Sequence, residues 1–504
     1  MRANAKWIIG LLVAIVIGVG LALVIGAGDD GATGFRTAAK PYAVPVGDQY
    51  EVEPLLSVGD RVANTSDPSA EYQMIGVPDG LGVRADANGT IDLYMNHELL
   101  KTETSEPNVG GPLDRGAFVS KYRLASDGSV LSGERAYDTV YAEDARLGPA
   151  AAASNSTAAF SYFCSGFLAD ERVGFDRPIY LAGEEASGAE TFDGRGGQSV
   201  AIFDHELHTL PRLGRFQKEN EVVVPRTGRD TVVFPLEDVS GDRGRPESQL
   251  YLYVGRKDPG SASVLRRNGL DNGSLYVLVL QGHSTEADFA EGRADGRWVK
   301  IPDAAGMTDA QLEAASDAAG AFAFVRIEDG ASSKTSPSDF YFVTTGDAAA
   351  NRLGRLYHLE INPGNAPQPA ELSVVFNADE IVTTGRDIAI SPDNVDTSGD
   401  YLMINEDGTD SGRRVMDEKG RDGSVWRFDL EDGFTGERIA ELNPPGRDDT
   451  AIDPGTWETS GIIDVSSLFG ADTWIFDVQA HSPTAAPAPK AVEDGQLVLM
   501  RPAN

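Results

Sequence analysis

Apolar residues along this chain recur in short runs between turn-rich loops rather than at helical spacing. Residues 90–95, 250–254, 275–280, 340–345, 355–361, 401–404, 425–430, 473–478 and 496–500 are rich in Tyr, Phe, Val, Ile and Leu. Each run is bounded by Gly, Asp, Asn or Pro. Such a pattern predicts short strands between turns. One stretch, 308–319, predicts a helix, with Thr308 as its cap. The 56 Gly and 27 Pro fit many turns. Regular strand spacing over 50–504 predicts an all-β fold built by radial repetition, a β-propeller. No strict repeat is visible, and a large sandwich or a pair of β-domains would give a similar string. In a propeller the terminal strands close the ring, so 496–500 is expected beside an early strand, 90–95 or a neighbour of it.

Arg2 and Lys6 precede an uncharged stretch, 7–27, and Asp29 and Asp30 follow it. The basic flank and apolar run predict an export signal or a membrane anchor over 1–28. Residues 29–49 are polar and Gly-, Ala- and Pro-bearing, and are expected to be a linker before a domain over 50–504. The domain is then expected outside the cytoplasmic membrane, secreted or anchored by this segment. Acidic residues outnumber basic ones 78 to 43, a formal charge of −35. That excess argues against nucleic acid as a partner and favours cations. A monomer is expected, with membrane contact only through the N-terminal segment. The single cysteine cannot form an intramolecular disulfide.

That cysteine, Cys164, lies in 160–185, which ends in an apolar run closed by Glu184 and Glu185. A thiolate and a carboxylate at one rim would make a metal site. Against it, a lone cysteine is most often a small buried hydrophobe. Other strands also close on acids. Asn96-His97-Glu98 follows one, Glu219 sits between two, and Glu237-Asp238 closes another. Arg326 and Glu328 share a strand face. Asp393-Asn394 and Asn405-Glu406-Asp407 flank a further strand. Singly these are ordinary turn acids; converging, their oxygens would suit calcium. His205 and His208 stand one residue too close for a zinc H-E-x-x-H motif, and there is no P-loop, dinucleotide fingerprint or G-x-S-x-G.

Taken in order, Asn96-His97-Glu98, Cys164-Ser165-Gly166, Leu181 to Glu185, Leu213 to Glu219, Glu237-Asp238, Arg326 to Gly330, Pro392-Asp393-Asn394 and Asn405-Glu406-Asp407 resemble the PhoX-type alkaline phosphatases. The resemblance runs through 50–501. It implies a six-bladed propeller and an exported phosphomonoesterase with a calcium and iron cluster, acting on small phosphate esters. It implies iron ligation by Cys164 and Glu185, metal contacts from Glu219, Glu328, Glu98, Asp393 and Asp407, and catalytic roles for Arg326 and Asn96. The chain departs from the pattern at Lys218, where relatives carry His, in a longer 164–185 segment, and in lacking twin arginines. Residues 457–464 and 477–481 resemble relatives without a defined activity. Two further functions fit the same fold: another metal-assisted hydrolase (phytase-like, phosphodiesterase or lactonase), and a calcium-stabilised binding module without chemistry.

Overall fold

The computed structural model describes residues 34–503, apart from 107–113, 144, 148–158, 240–245, 431–432, 444–451 and 482–485. The expected signal or anchor, 1–28, lies outside the described residues. Six inner strands set the architecture: Pro78–Ala85, Phe163–Ala169, Lys218–Val223, Ile327–Ser332, Pro392–Thr397 and Glu458–Asp464. Each packs beside the next, and the sixth packs back against the first, so the ring is closed. Behind each inner strand a sheet extends outward as a blade, antiparallel except for one outer pairing in each of the first two blades. Blades three and four are joined at their outer edges, where Arg293–Ile301 pairs with Ala370–Asn377, giving one nine-stranded sheet. The fold is a β-propeller.

Both faces of every blade are covered by its neighbours, which is why the strands read as apolar runs. One apolar cluster fills each gap between blades. Phe118, Phe163 and Val200 belong to the gap between the first two, and Phe234, Phe324 and Phe342 to that between the third and fourth. Burying one such side chain contributes roughly 1.5–3 kcal/mol. No helix among the described residues is long and apolar enough to cross a membrane.

The C-terminal strand Asp494–Pro502 does pair with an early strand, but the partner is Tyr50–Ser57 and not the 90–95 run. The latter is Ile91–His97, the second strand of the first blade. Tyr50–Ser57 was hidden by Pro54, which sits beside a register shift on the outer edge of its sheet, where a missing N–H is tolerated. The stretch expected as a linker, 29–49, is partly structural. Ala43–Pro45 pairs with Gly436–Leu442 at the outer edge of the fifth blade, and Phe35 bridges Val130. The expected helix is Asp309–Ala319, with Thr308 and Gln311 forming a capping box. A second helix, Asp410–Lys419, was missed; it is strongly charged and buries only Gly412, Val415 and Met416.

Candidate metal centre

Every inner strand breaks register with its neighbour near the same height. The shifts fall between Asp79 and Leu81, Phe163 and Gly166, Lys218 and Glu221, Ile327 and Gly330, Pro392 and Val395, and Ser460 and Ile463. A bulge leaves residues unpaired and re-aims their side chains. Where the shift starts, the first five blades place Asp79, Cys164, Glu219, Glu328 and Asp393. The sixth places Ser460, whose hydroxyl donates to Asp79 at 2.7 Å.

The second strand of each blade supplies another group where it ends: Glu98, Glu185, Asp238, Thr345, Asp407 and Gln479. The residue just before it faces the wall instead. Glu184, one such residue, accepts backbone N–H bonds from Ser161 and Phe192 at 3.0 and 2.7 Å. Glu406 is held by Arg421 and the Trp426 indole. A third tier precedes the inner strands. Val77, Tyr162, Arg326 and Ser391 occupy it with φ of 52, 50, 55 and 49°. That left-handed backbone costs about 1–3 kcal/mol for a side chain of this kind and concentrates at functional sites.

The tiers enclose an axial cavity of about 360 Å³, lined by Glu98, Tyr162, Cys164, Glu185, Asp238, Arg326, Glu328, Asp393, Asp407 and Glu458, with Gln217. Arg326 is the one cationic side chain on it among the described residues. Its Nε and Nη2 grip Asp238 at 2.9–3.1 Å, Nη2 lies 3.0 Å from Glu328, and Nη1 lies 3.8 Å from Asp407. Cys164 Sγ donates to Asp79 Oδ2 at 3.1 Å. Three trios bring their ligand atoms within 4.8 Å of one another: Asp79, Glu98 and Cys164; Cys164, Glu185 and Glu219; Glu219, Glu328 and Asp393.

Burial raises the pKa of Glu98, Glu185, Glu219, Glu328 and Asp393 well above the carboxylate range, and mutual repulsion adds to it. Burial, then Asp79, also raises the Cys164 thiol. Asp79 is pushed up to about 7 and Asp407 to about 6, in both cases first by burial and then by Glu458. Glu219 Oε2 is buried without a hydrogen bond, and Glu328 Oε1 has only its ion pair with Arg326. Orphaned acceptors in a dense anionic cluster are what bound cations would satisfy, and the set of one thiol and many carboxylates fits more than one metal.

The structure therefore brings Cys164, Glu185, Glu219, Glu328, Glu98, Asp393, Asp407 and Arg326 to one place. Asn96 does not line the cavity. Its amide donates to the carbonyls of Cys164 and Ser165 at 2.6 and 3.0 Å and accepts from the Tyr180 hydroxyl at 3.0 Å. Placed there it shapes the Cys164 bulge rather than facing a substrate. Asp79 and Glu458 were missed as site residues, and Asp238 was noted only as an acid at a strand end.

The family profile of alkaline phosphatase PhoX matches residues 204–460. The chain belongs to the PhoX family. Comparison with the curated proteins gives no match. Among solved structures, Pseudomonas fluorescens PhoX in complex with vanadate, a transition state analogue, is similar at 15% identity with a TM-score of 0.63. The alignment covers 92% of this chain and 97% of that one. At that identity the likeness shows the fold. A luciferin-regenerating enzyme (9% identity, TM-score 0.34, 85% and 92% coverage) and Trypanosoma rangeli sialidase (9%, 0.34, 92% and 60%) are more distant. The PhoX match spans Glu219, Asp238, Arg326, Glu328, Asp393, Asp407 and Glu458. It leaves out Asp79, Glu98, Cys164 and Glu185, which complete the cavity from the first two blades.

Proposed function

We propose that this PhoX-family chain hydrolyses small phosphate monoesters in the axial cavity. The observation that carries this is Arg326, a guanidinium on the cavity wall surrounded by carboxylates that fit metal ions. Asp238 orients it through two nitrogens, which leaves Nη1 without a hydrogen bond among the described residues. A guanidinium so placed grips phosphate oxygens and stabilises charge gathering on them. Its left-handed backbone fixes the direction in which the side chain leaves the strand.

Cys164, Glu185 and Glu219 would hold iron, and Glu98, Asp79, Glu328, Asp393, Asp407 and Glu458 would hold calcium. The choice follows ligand chemistry: the Cys164 thiolate, shared by two trios, is the one soft donor and is assigned with Glu185 and Glu219, and the remaining groups are hard oxygens. When bound, such ions act as Lewis acids toward a phosphate dianion. The protein's own groups do the positioning. Asn96 pins the Cys164 bulge, Ser165 donates to Glu219 Oε1 at 2.6 Å, and Gln479 donates to Glu98 Oε2 at 3.0 Å. Tyr162 and Gln217 line the same cavity where the ester's alcohol portion would lie. We further propose that residues 1–28 carry the domain out of the cytoplasm.

The test is p-nitrophenyl phosphate turnover by purified protein, measured beside its iron and calcium content. Turnover that disappears on chelation and returns with metal supports the function. Metal-replete protein that leaves the ester intact overturns it.

A further inference from the structure

A second cavity, of about 470 Å³, opens on the opposite side of the bulge layer. Its floor is the second residue of each bulge, including Ser165, Asn220, Asp329 and Asn394, so a layer one residue thick separates it from the metal centre. Asn394 Nδ2 donates across the channel to Ser165 Oγ at 2.5 Å, and Asn394 Oδ1 accepts from Gly461 N at 2.6 Å. Asn220 donates to Asp329 Oδ1 at 2.6 Å, and Asp329 Oδ2 accepts from Val395 N at 3.1 Å. The Gly80 and Ser165 carbonyls are taken by Tyr180 and Asn96. With its polar groups already paired, this floor offers little to a polar ligand end.

The walls are apolar, formed by Leu81, Val83, Phe167, Leu168, Val395 and Ile462 among others. One buried wall hydroxyl, Ser332 Oγ, lacks a partner. The lining carries three cations, Arg172, Arg226 and Lys334, beside the acids Asp329, Asp396 and Asp464. Lys334 is tied to Asp396 and Asp464 at 3.1 and 2.9 Å, and Arg172 to Asp170. Arg226 is exposed, sits at φ 59° and has no ion pair among the described residues.

We propose that this back cavity binds a small amphipathic anion, an aliphatic carboxylate with its chain on the apolar walls and its head group at Arg226. Its volume lies within the roughly 300–1,000 Å³ of small-molecule sites. An apolar tail gains by leaving water, the internally paired floor sets its direction, and the free guanidinium selects the charge of the head.

The experiment is calorimetric titration of the intact protein with octanoate and, separately, with octanol. The wild type should bind one octanoate saturably and more tightly than octanol. Arg226→Glu, at an exposed position, should weaken octanoate roughly fivefold and spare octanol, the size expected for exposed charges. Ala331→Phe, which puts a ring into the cavity, should abolish both. The proposal is overturned if octanoate shows no saturable binding at millimolar concentration, if it binds no better than octanol, or if Ala331→Phe binds like wild type.

Discussion

Ser165 and Asn394 meet across the axis of the ring, hydroxyl to amide at 2.5 Å, although 229 positions separate them in sequence. The same Ser165 hydroxyl donates to Glu219 Oε1 at 2.6 Å. One small side chain thus joins blades two, three and five and fixes the orientation of a carboxylate in the metal centre.

Removing that hydroxyl has a definite expected result. In Ser165→Ala, Glu219 Oε1 loses its donor and the Asn394 amide loses its acceptor. Partners that orient metal ligands are typically worth 10–100-fold in metal affinity. We expect Ser165→Ala to fold, with a stability loss of about 1–3 kcal/mol from the unpaired groups, and to bind metal at least about tenfold more weakly. Metal titration and denaturant melts separate the two effects. Unchanged metal affinity would leave Ser165 as packing only.

Arg326→Lys preserves charge and removes the fork. Lysine cannot grip Asp238 through two nitrogens and also present another to a phosphate oxygen. A loss of about a hundredfold in kcat/KM is expected, the scale of removing one donor to transition-state charge, with metal content unchanged. Steady-state kinetics on p-nitrophenyl phosphate check it, and wild-type values would take Arg326 out of the site.

Much of this arrangement was legible because physical constraints act locally. Strands covered on both faces must be apolar, so all nine predicted runs became strands with ends shifted by a residue or two. Carboxylates that end second strands, such as Glu98, Glu185 and Asp407, stood out as acids closing apolar runs. Bulges were not legible, because one extra residue has no signature in an apolar pattern. Asp79 was missed for that reason, whereas Glu458, paired regularly with Gln479, lies outside the sixth bulge; Asn96, expected to be catalytic, holds the Cys164 bulge through its amide. A signal did exist: Pro78-Asp79-Gly80 matches Pro392-Asp393-Asn394, two acids at the same height of different blades.

Removing metal should invert the pH dependence of stability. Asp79 and Asp407, pushed up to about 7 and 6, sit above the ordinary carboxylate value near 3.8. A carboxyl with a raised folded pKa keeps its proton in the fold after the unfolded chain has lost it. In metal-free protein their contribution to stability is full below about pH 4 and is lost as pH rises through about 7. Bound cations favour the ionised forms and remove that loss. Melting temperatures of chelator-treated protein should decline from pH 5 to 8, and restored metal should flatten or reverse the slope. A metal-free melting temperature that rises over this interval would contradict the repulsive cluster.

Cys164 is the sharpest test of how the centre is built. As a packed spectator it would tolerate serine at a cost on the order of 1 kcal/mol, since the two side chains differ little in volume. Its surroundings argue for more. The thiol sits among Asp79, Glu98, Glu185 and Glu219, its own pKa is raised by burial and by those acids, and its hydrogen bond goes to Asp79. In metal-free protein it therefore stays protonated. As a ligand it must lose that proton, which a bound cation makes favourable. Serine is a far weaker acid and a harder ligand, so Cys164→Ser should fold, keep oxygen-bound metal, and lose the metal held by the trio with Glu185 and Glu219. If that metal is iron, the wild type carries a thiolate charge-transfer band that the variant lacks. Absorbance, metal content and turnover are compared after identical metal loading. A variant that matches the wild type in all three would make Cys164 a buried hydrophobe and shift the centre onto the carboxylates alone.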